Sequence, residues 1–394
     1  MVILGIESSC DETAAAVVID GRLVSNVVHS QIDLHAQYGG VVPEIAARSH
    51  IETIMPVIER SLREAFELKD ESSKIKDLMS HVDAIAVTQG PGLSGSLLIG
   101  TLAAKVLAWQ FQKPLYGVDH VLGHIFANFL ETERTSTENS QDMPVKREKL
   151  KEKSQKTIDL KTDLLTTNYE LPITTETKFP LLALVVSGGH SQVVLFEDYF
   201  TYRLLGQTRD DAVGEAFDKV AKMLGLPYPG GPAVEVLSKQ GDPTRFKLPK
   251  VKGLEPYEFS FSGLKTAVLR ALQAEIGQGY DFPSHELSGR LDEQSKADMA
   301  ASFSAAVFTE IADTVQTAID EFHPEQVIIG GGVAASQSLR GALSKNLSVR
   351  PTFIDRKLCT DNAAMIASLG YHSARMNVPP SDVLTMKINP SMSM

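Results

Sequence analysis

Residues 2–19, VILGIESSCDETAAAVVI, and residues 181–196, LLALVVSGGHSQVVLF, decide the fold, because the second stretch repeats the grammar of the first. VILGIE (2–7) reads as a buried strand, Ser8 and Ser9 as a small-residue turn, and 14–19 as a second strand; RLVSNVVH (22–29) supplies a third. Downstream, LLALVVS (181–187), a Gly188-Gly189 turn, QVVLF (192–196) and residues 202–205 follow the same series. Short apolar runs bounded by turn signals are what strands buried on both faces look like. Two such series in one chain predict an internally duplicated fold.

Helices are expected between and after the two series. Residues 47–68 space Ile51, Ile54, Met55, Ile58, Leu62 and Phe66 as a helix face, and 82–88 is another strand. The small-residue turn GPGLSGS (90–96) opens a helix reaching about Phe111, and an amphipathic helix over 211–224 ends at Gly225 and the Pro-Gly-Gly-Pro turn of 229–232. Residues 326–329 form a strand before Gly330-Gly331-Gly332, and a helix starts near Ser336. A final helix covers 363–375, with Thr360 or Asp361 as its cap. Alternating strands and helices make the chain α/β.

The chain has 394 residues, more than a single hydrophobic core usually spans, so two lobes are expected: 1–132 and 179–394. The last helix, about 361–376, is expected to pack back at the lobe interface. Residues 133–178 are rich in Ser, Thr, Lys and Glu and keep no apolar period, which reads as a flexible polar insertion. Within it, KREKLKEKSQKTIDLK (146–161) carries seven basic residues against three acidic ones. A second polar stretch runs over 277–296.

Hydrophobic content of 43% and charged content of 22% are those of a globular protein, with no apolar run of membrane-spanning length. The first residues carry no basic flank of a secretory signal or transit peptide, and two cysteines, Cys10 and Cys359, make no disulfide framework. Both read as small buried thiols, and a cytoplasmic location is expected. The formal net charge of −11 works against nonspecific binding to a polyanion.

Four turns follow predicted strands, at 8–13, 90–96, 187–190 and 330–332. Glycine lets backbone N–H groups approach phosphate closely, so the set points to a nucleotide cleft between duplicated lobes, although none fits a P-loop or dinucleotide pattern. HVLGH (120–124) puts His120 and His124 four residues apart, on one face of a helix. The pair is either a core or capping pair or two ligands of a divalent metal, iron(II) or zinc, with Asp11, Asp119 or Asp361 as the third. Asp11 and Glu12, in the first turn, could accept a proton or orient a cation. His190 is a proton donor or a turn residue, and Asp210, Asp211, Glu215 and Asp218 read as a solvated helix face.

Taken together, GIESSCDETAAAV (5–17), YGGVVPEIAARSH (38–50), TQGPGLSGSLLIG (88–100), HVLGH, VVSGGHSQ (185–192), DDAVGEAFDKVAKMLGLPYPGGP (210–232), FSFSGLKTA (259–267), GGGVAAS (330–336) and CTDNAAMIA (359–367) resemble the universal tRNA adenosine threonylcarbamoyltransferase family. The resemblance covers the chain except 133–178 and part of 276–296. It implies the duplicated actin/Hsp70/sugar-kinase architecture (ASKHA), two lobes around a nucleotide cleft. It implies one divalent metal per subunit, usually iron with zinc as the alternative, on His120, His124 and Asp361. Substrate contacts would fall on Val185, Val186, Ser187, Gly188, Gly189, Asp218, Gly231 and Ser336. Asp11, Glu12 and His190 are the catalytic candidates.

The implied reaction moves the threonylcarbamoyl group from threonylcarbamoyl-adenylate to N6 of the adenosine immediately 3′ of the anticodon (position 37), in tRNAs reading codons that begin with A, releasing AMP. Implied partners are tRNA, a paralogous scaffold subunit and a small ATPase, with no membrane. Two positions depart from the family pattern: Asp119 replaces the first of a His pair, and Ser336 replaces an Asn. A metallopeptidase would need a general-base Glu beside the histidines, and Val121, Leu122 and Gly123 supply none. A small-molecule kinase of this fold needs no His-His-Asp set, and the noncatalytic scaffold paralogue lacks the histidines.

Overall fold

The structure is a computed structural model that describes residues 1–68, 74–130, 177–251 and 253–393. The insertion read at 133–178 lies outside the described residues but for its last two, and so does the basic stretch 146–161.

The strands are β1 Val2–Glu7, β2 Glu12–Ile19, β3 Arg22–Ser30, β4 Ala84–Gly90 and β5 Leu115–Asp119, then β6 Leu181–Val186, β7 Ser191–Phe196, β8 Tyr202–Gln207, β9 Gln326–Gly330 and β10 Thr352–Phe353. The helices are α1 Ile32–Ala36, α2 Pro43–Ala65, α3 Ile75–Met79, α4 Ser94–Phe111, α5 His120–Phe126, α6 Val213–Leu224, α7 Gly230–Ser238, α8 Ser262–Glu275, α9 Glu293–Phe322, α10 Gln337–Asn346 and α11 Ala363–Arg375. The first sheet has the order β3-β2-β1-β4-β5 and the second, read from its far edge, β8-β7-β6-β9-β10. The two orders are the same, so the repeated grammar of 2–19 and 181–196 is a repeated topology. In both, the first strand pairs antiparallel with the second and parallel with the fourth.

Both faces of the first sheet are covered, which is why its strands read as continuous apolar runs rather than alternations. Leu4, Ile6, Ala15 and Val17 pack with Ile54, Ile58 and Leu62 of α2 and with Ala104 and Leu107 of α4. Ile3, Ala14, Ala16 and Val18 face the other way, into a core shared with the second sheet and with α11. Helix α11 lies against β1, β2, β4 and α5 of the first half of the chain. Beyond it, Ser381 pairs with Leu115 of β5, and Met386 is buried in the core under α2 and α4. The last thirty or so residues therefore return to the first sheet. Gly5 makes this possible: a Cβ there would sit 2.5 Å from Ala363 O and 2.6 Å from Ala367 N.

Local expectations change in four places. Asn362, not Thr360 or Asp361, caps α11, accepting from Ala364 N at 3.0 Å and Met365 N at 3.3 Å. The Pro-Gly-Gly-Pro turn is the start of α7, with Pro229 as its cap position. The polar stretch 277–296 contains a 3-10 turn and the first turn of α9, anchored by buried Leu287 and Leu291. Cys10 is only half-buried, while Cys359 is buried as expected.

The acidic run is also not a solvated face. Asp210 accepts from Ser260 and Ser262 hydroxyls and from the backbone N–H of Phe261 and Ser262, and Asp211 pairs with Lys219 and Lys265. Asp218 turns inward and accepts from Gly230 N at 2.7 Å. Only Glu215, paired with Lys219 at 2.8 Å and half-exposed, behaves as read.

Candidate metal centre and nucleotide cleft

Three chain segments far apart in sequence place the His and Asp side chains together. Helix α5 begins directly after β5, and Asp119 caps it, accepting from Val121 N at 2.7 Å and Leu122 N at 2.9 Å. Asp119 is thus engaged in ending the strand and starting the helix, and the third carboxylate at the histidines is Asp361. Because Asn362 takes the capping role on α11, the Asp361 carboxylate is left to face α5. Asp361 Oδ1 lies 3.3 Å from His124 Nε2 and 3.5 Å from His120 Nε2.

These three residues are the group among the described residues that could hold a metal ion, with ligand atoms all within 4.8 Å of one another. Ligands about 2.0–2.1 Å from a tetrahedral ion stand roughly 3.3 Å apart, close to the spacings of Asp361 Oδ1 from the two Nε2 atoms. His124 is 1% exposed, and neither of its ring nitrogens has a hydrogen-bond partner of acceptable geometry among the described residues. A buried imidazole rarely goes without a partner, and a cation at Nε2 would supply one. The residues therefore fit a divalent ion.

Charge is concentrated here. Burial opposes charging His120, but Asp361 and Glu7 outweigh it and hold its pKa well above the usual histidine value. Burial likewise opposes charging Asp361, and His120 and His124 reverse that, holding its pKa well below the carboxylate range. His190, at the end of the Gly188-Gly189 turn, is pushed down to about 4 by burial and then by His120 and His124, so it is a neutral imidazole.

Beside this centre opens a cavity of about 410 Å³ lined from both halves of the chain, by Asp11 and Glu12, by Ser187 and Gly188, by Asp218, Tyr228 and Gly231, and by Gly332, Ser336 and Asp361. The turn after β6 is built by its own hydrogen bonds. Ser187 N donates to His190 O at 2.8 Å, and Ser187 Oγ accepts from His190 N at 3.0 Å. Ser187 O in turn accepts from Gly214 N at 3.1 Å. Among the described residues the N–H groups of Gly188 and Gly189 meet no acceptor, so they, rather than that of Ser187, are free for a ligand. Val185 and Val186 are fully buried strand residues that do not line the cavity. Gly331, at φ +91°, bends the chain after β9 so that a Cβ would strike Val186 O at 2.4 Å. Ser336 Oγ accepts from Leu339 N at 3.2 Å as the cap of α10, which leaves its hydroxyl hydrogen for a ligand.

The turn carrying Asp11 and Glu12 is braced by His50, which is buried. His50 Nε2 lies 3.0 Å from Cys10 O, and its Nδ1 lies 2.7 Å from Thr13 Oγ1. Burial, then Asp11 and Asp361, raise the Glu12 carboxyl well above its usual range, and Ser30 Oγ donates to it at 3.1 Å. Burial also raises Asp218, against the N–H groups of Gly230 and Gly231. The lining holds five carboxylates, Asp11, Glu12, Asp218, Glu235 and Asp361, and one cation, Arg356.

Sequence reasoning missed Glu7, His50, Tyr228 and Glu235. Glu7 was hidden inside an apolar strand, and its one visible signal is a carboxylate at the end of a run otherwise free of charge. Tyr228 and Glu235 sit in or just after the long motif 210–232, but nothing local tells which of its side chains face the cavity.

Two duplicated α/β halves closing on a cavity, with Asp361 of the His-His-Asp group in its lining, define a protein of the actin/Hsp70/sugar-kinase fold class. Solved structures agree on the fold: HypF of T. kodakarensis superposes with TM-score 0.53 at 13% identity, over 95% of this chain and 48% of that one. A full-length HypF in a phosphate- and nucleotide-bound form superposes with TM-score 0.52 at 11% identity, over 96% of this chain and 46% of that one. The family model described as tRNA N6-adenosine threonylcarbamoyltransferase matches residues 22–141 and 162–368. Relatives of that name are 45% identical in Thermomicrobium roseum, over 96% of this chain and 93% of the relative, and 45% identical in Symbiobacterium thermophilum, over 95% and 92%. The chain belongs to the tRNA N6-adenosine threonylcarbamoyltransferase family. Among the described residues no helix is long and apolar enough to cross a membrane.

Proposed function

We propose that this chain transfers a threonylcarbamoyl group from threonylcarbamoyl-adenylate to N6 of the adenosine immediately 3′ of the anticodon, in tRNAs reading codons that begin with A, releasing AMP in the cytoplasm. The observation that carries the reading is that Asp361 of the His120, His124 and Asp361 group lines a cavity together with Gly188, Asp11 and Glu12, in a chain of this family. Gly332, Ser336, Tyr228 and Gly231 of the cavity lining would hold the adenosine of the donor. Gly188 and Gly189 N–H groups hold its acyl phosphate and stabilise negative charge developing on the carbonyl oxygen.

His120, His124 and Asp361 would hold a divalent ion, iron(II) or zinc, which when bound would supply Lewis-acid stabilisation of negative charge. The N6 amine attacks the carbamoyl carbon, the new C–N bond forms, and the bond from that carbon to the phosphate oxygen breaks, so AMP leaves with both electrons. The amine proton passes to the Asp11–Glu12 carboxyl pair, where burial and then Asp11 and Asp361 strengthen the hold of Glu12 on a proton. His190, neutral, orients rather than protonates.

Five carboxylates against Arg356 make the cavity a poor magnet for RNA, and the net charge of −11 adds to this. Partners that bring phosphate affinity fit that need: a paralogous scaffold and a small ATPase. One face of α4 supports a protein partner, since Leu98, Leu102, Val106 and Trp109 are each at least half exposed and follow one another at helical spacing.

Depleting the protein in its host and weighing threonylcarbamoyladenosine in total tRNA nucleosides by mass spectrometry tests the reading. The modified nucleoside should fall in proportion to the protein. Unchanged levels in a host with no second homologue would refute it.

A further inference from the structure

We infer that Glu7 is the positioning residue that fixes the proton of His120 on Nδ1 and so presents a bare Nε2 to the metal. The inference rests on the metal reading of His120, His124 and Asp361, and not on the identity of the acyl substrate.

Glu7 ends β1, where the strand runs out toward the cavity, and it is 0% exposed. Its carboxylate gathers three donors. Oε1 accepts from Ser9 N, and Oε2 accepts from Thr88 Oγ1 of β4 and lies 3.1 Å from His120 Nδ1. An ionised carboxylate only accepts, so a ring nitrogen at that distance is stable there only if it carries the hydrogen. Ser9 Oγ, 3.2 Å from the same Nδ1, can serve as a second acceptor for it. With the proton on Nδ1, the lone pair lies on Nε2, the atom 3.5 Å from Asp361 Oδ1. The other tautomer would set two acceptors against each other at Nδ1 and aim an N–H at the place of the ion.

A purely structural role explains less. Tying β1 to β4 through Thr88 and closing the turn at Ser9 needs an acceptor, which an uncharged amide would provide. Only the imidazole contact uses the property that distinguishes a carboxylate from an amide, its inability to donate. Among the described residues His124 has no such partner at Nδ1, whereas His120 has one that selects its tautomer.

The test uses the full-length protein with iron(II), zinc and cobalt(II) as probes. In zinc-loaded protein labelled with ¹⁵N-histidine, His120 should show a protonated Nδ1 and a metal-bound Nε2; a ring bound through Nδ1 and protonated on Nε2 overturns the inference without any variant. Chelator competition should give a dissociation constant raised about 10–100-fold in Glu7→Gln. Glu7→Asp should recover part of this loss, and the cobalt(II) absorption bands should shift in Glu7→Gln. The Thr88→Val variant, which removes the inter-strand contact and leaves the carboxylate, should bind metal nearly as the parent does. Equal affinities and spectra for parent and Glu7→Gln would sink the role of Glu7 and leave the metal site standing. A parent protein that binds none of the three ions, like His120→Ala, would sink both.

Discussion

Glu310 shows how a single buried acid sets a local pH response. It sits on α9 with Oε1 buried and without a partner among the described residues. Burial raises its pKa to about 7; the Ser260 N–H opposes this, while Asp210 and Asp313 add to it. The folded-state pKa lies above the unfolded value, so its contribution to stability is fully present below about 4.5 and is lost as pH rises through about 7. Glu310→Gln should therefore leave stability unchanged at pH 4 and raise it by roughly 1 kcal/mol at pH 8, a figure already reduced for solvent screening. Denaturant melts at the two pH values check this, and a gain of equal size at both would show that charge is not the cause. Residue roles like this one were poorly legible in sequence. Asp361 and the histidines could be singled out because motif and spacing carry them, but the partners of Glu7 and Asp210 come from strands and loops dozens of residues away. Asp218 shared a run with Glu215, and only tertiary contacts separate the one that turns inward from the one that stays in water.

At the scale of elements, the decisive contact is α11 on β1. Gly5 lies under Ala363 and Ala367, and Asp361 stands two residues before α11 begins. Gly5→Ala should force the helix outward, at a cost of about 1–3 kcal/mol, the usual range for overpacking a filled core. It should also weaken metal binding at least tenfold, because Asp361 moves with the helix while His120 and His124 stay with α5. Thermal melts and chelator competition measure the two effects, and a destabilised variant with unaltered metal affinity would separate Asp361 from the seating of α11. Most elements could be read from the chain, since apolar runs and helical periods are local signals. Where the reading slipped by a residue it mattered: assigning the α11 cap to Asn362 instead of Asp361 decides whether that carboxylate is spent on backbone or free for a ligand. No propensity separates three adjacent polar residues that can all cap.

Across the whole molecule, the duplication was plain because two stretches repeat one pattern, and the matching strand orders follow from it. The exposed stripe on α4 was not, because Leu, Val and Trp at helical spacing look the same whether a neighbour covers them or not. Trp109→Glu together with Leu102→Glu should abolish association with the proposed paralogous scaffold subunit while leaving melting temperature and metal content near those of the parent. Sedimentation of the mixed proteins reads the first and elemental analysis the second; a variant complex as stable as the parent's would place the partner elsewhere. The return of the last helix to the first sheet has one more consequence, which concerns how the protein comes into being. His120 and His124 are synthesised with most of the chain still to follow, whereas Asp361 and the helix that seats it come only near the end. A chain cut short before residue 361 keeps both histidines and lacks the third carboxylate. The group of three is therefore complete only once the part of the chain that seats α11 has been made.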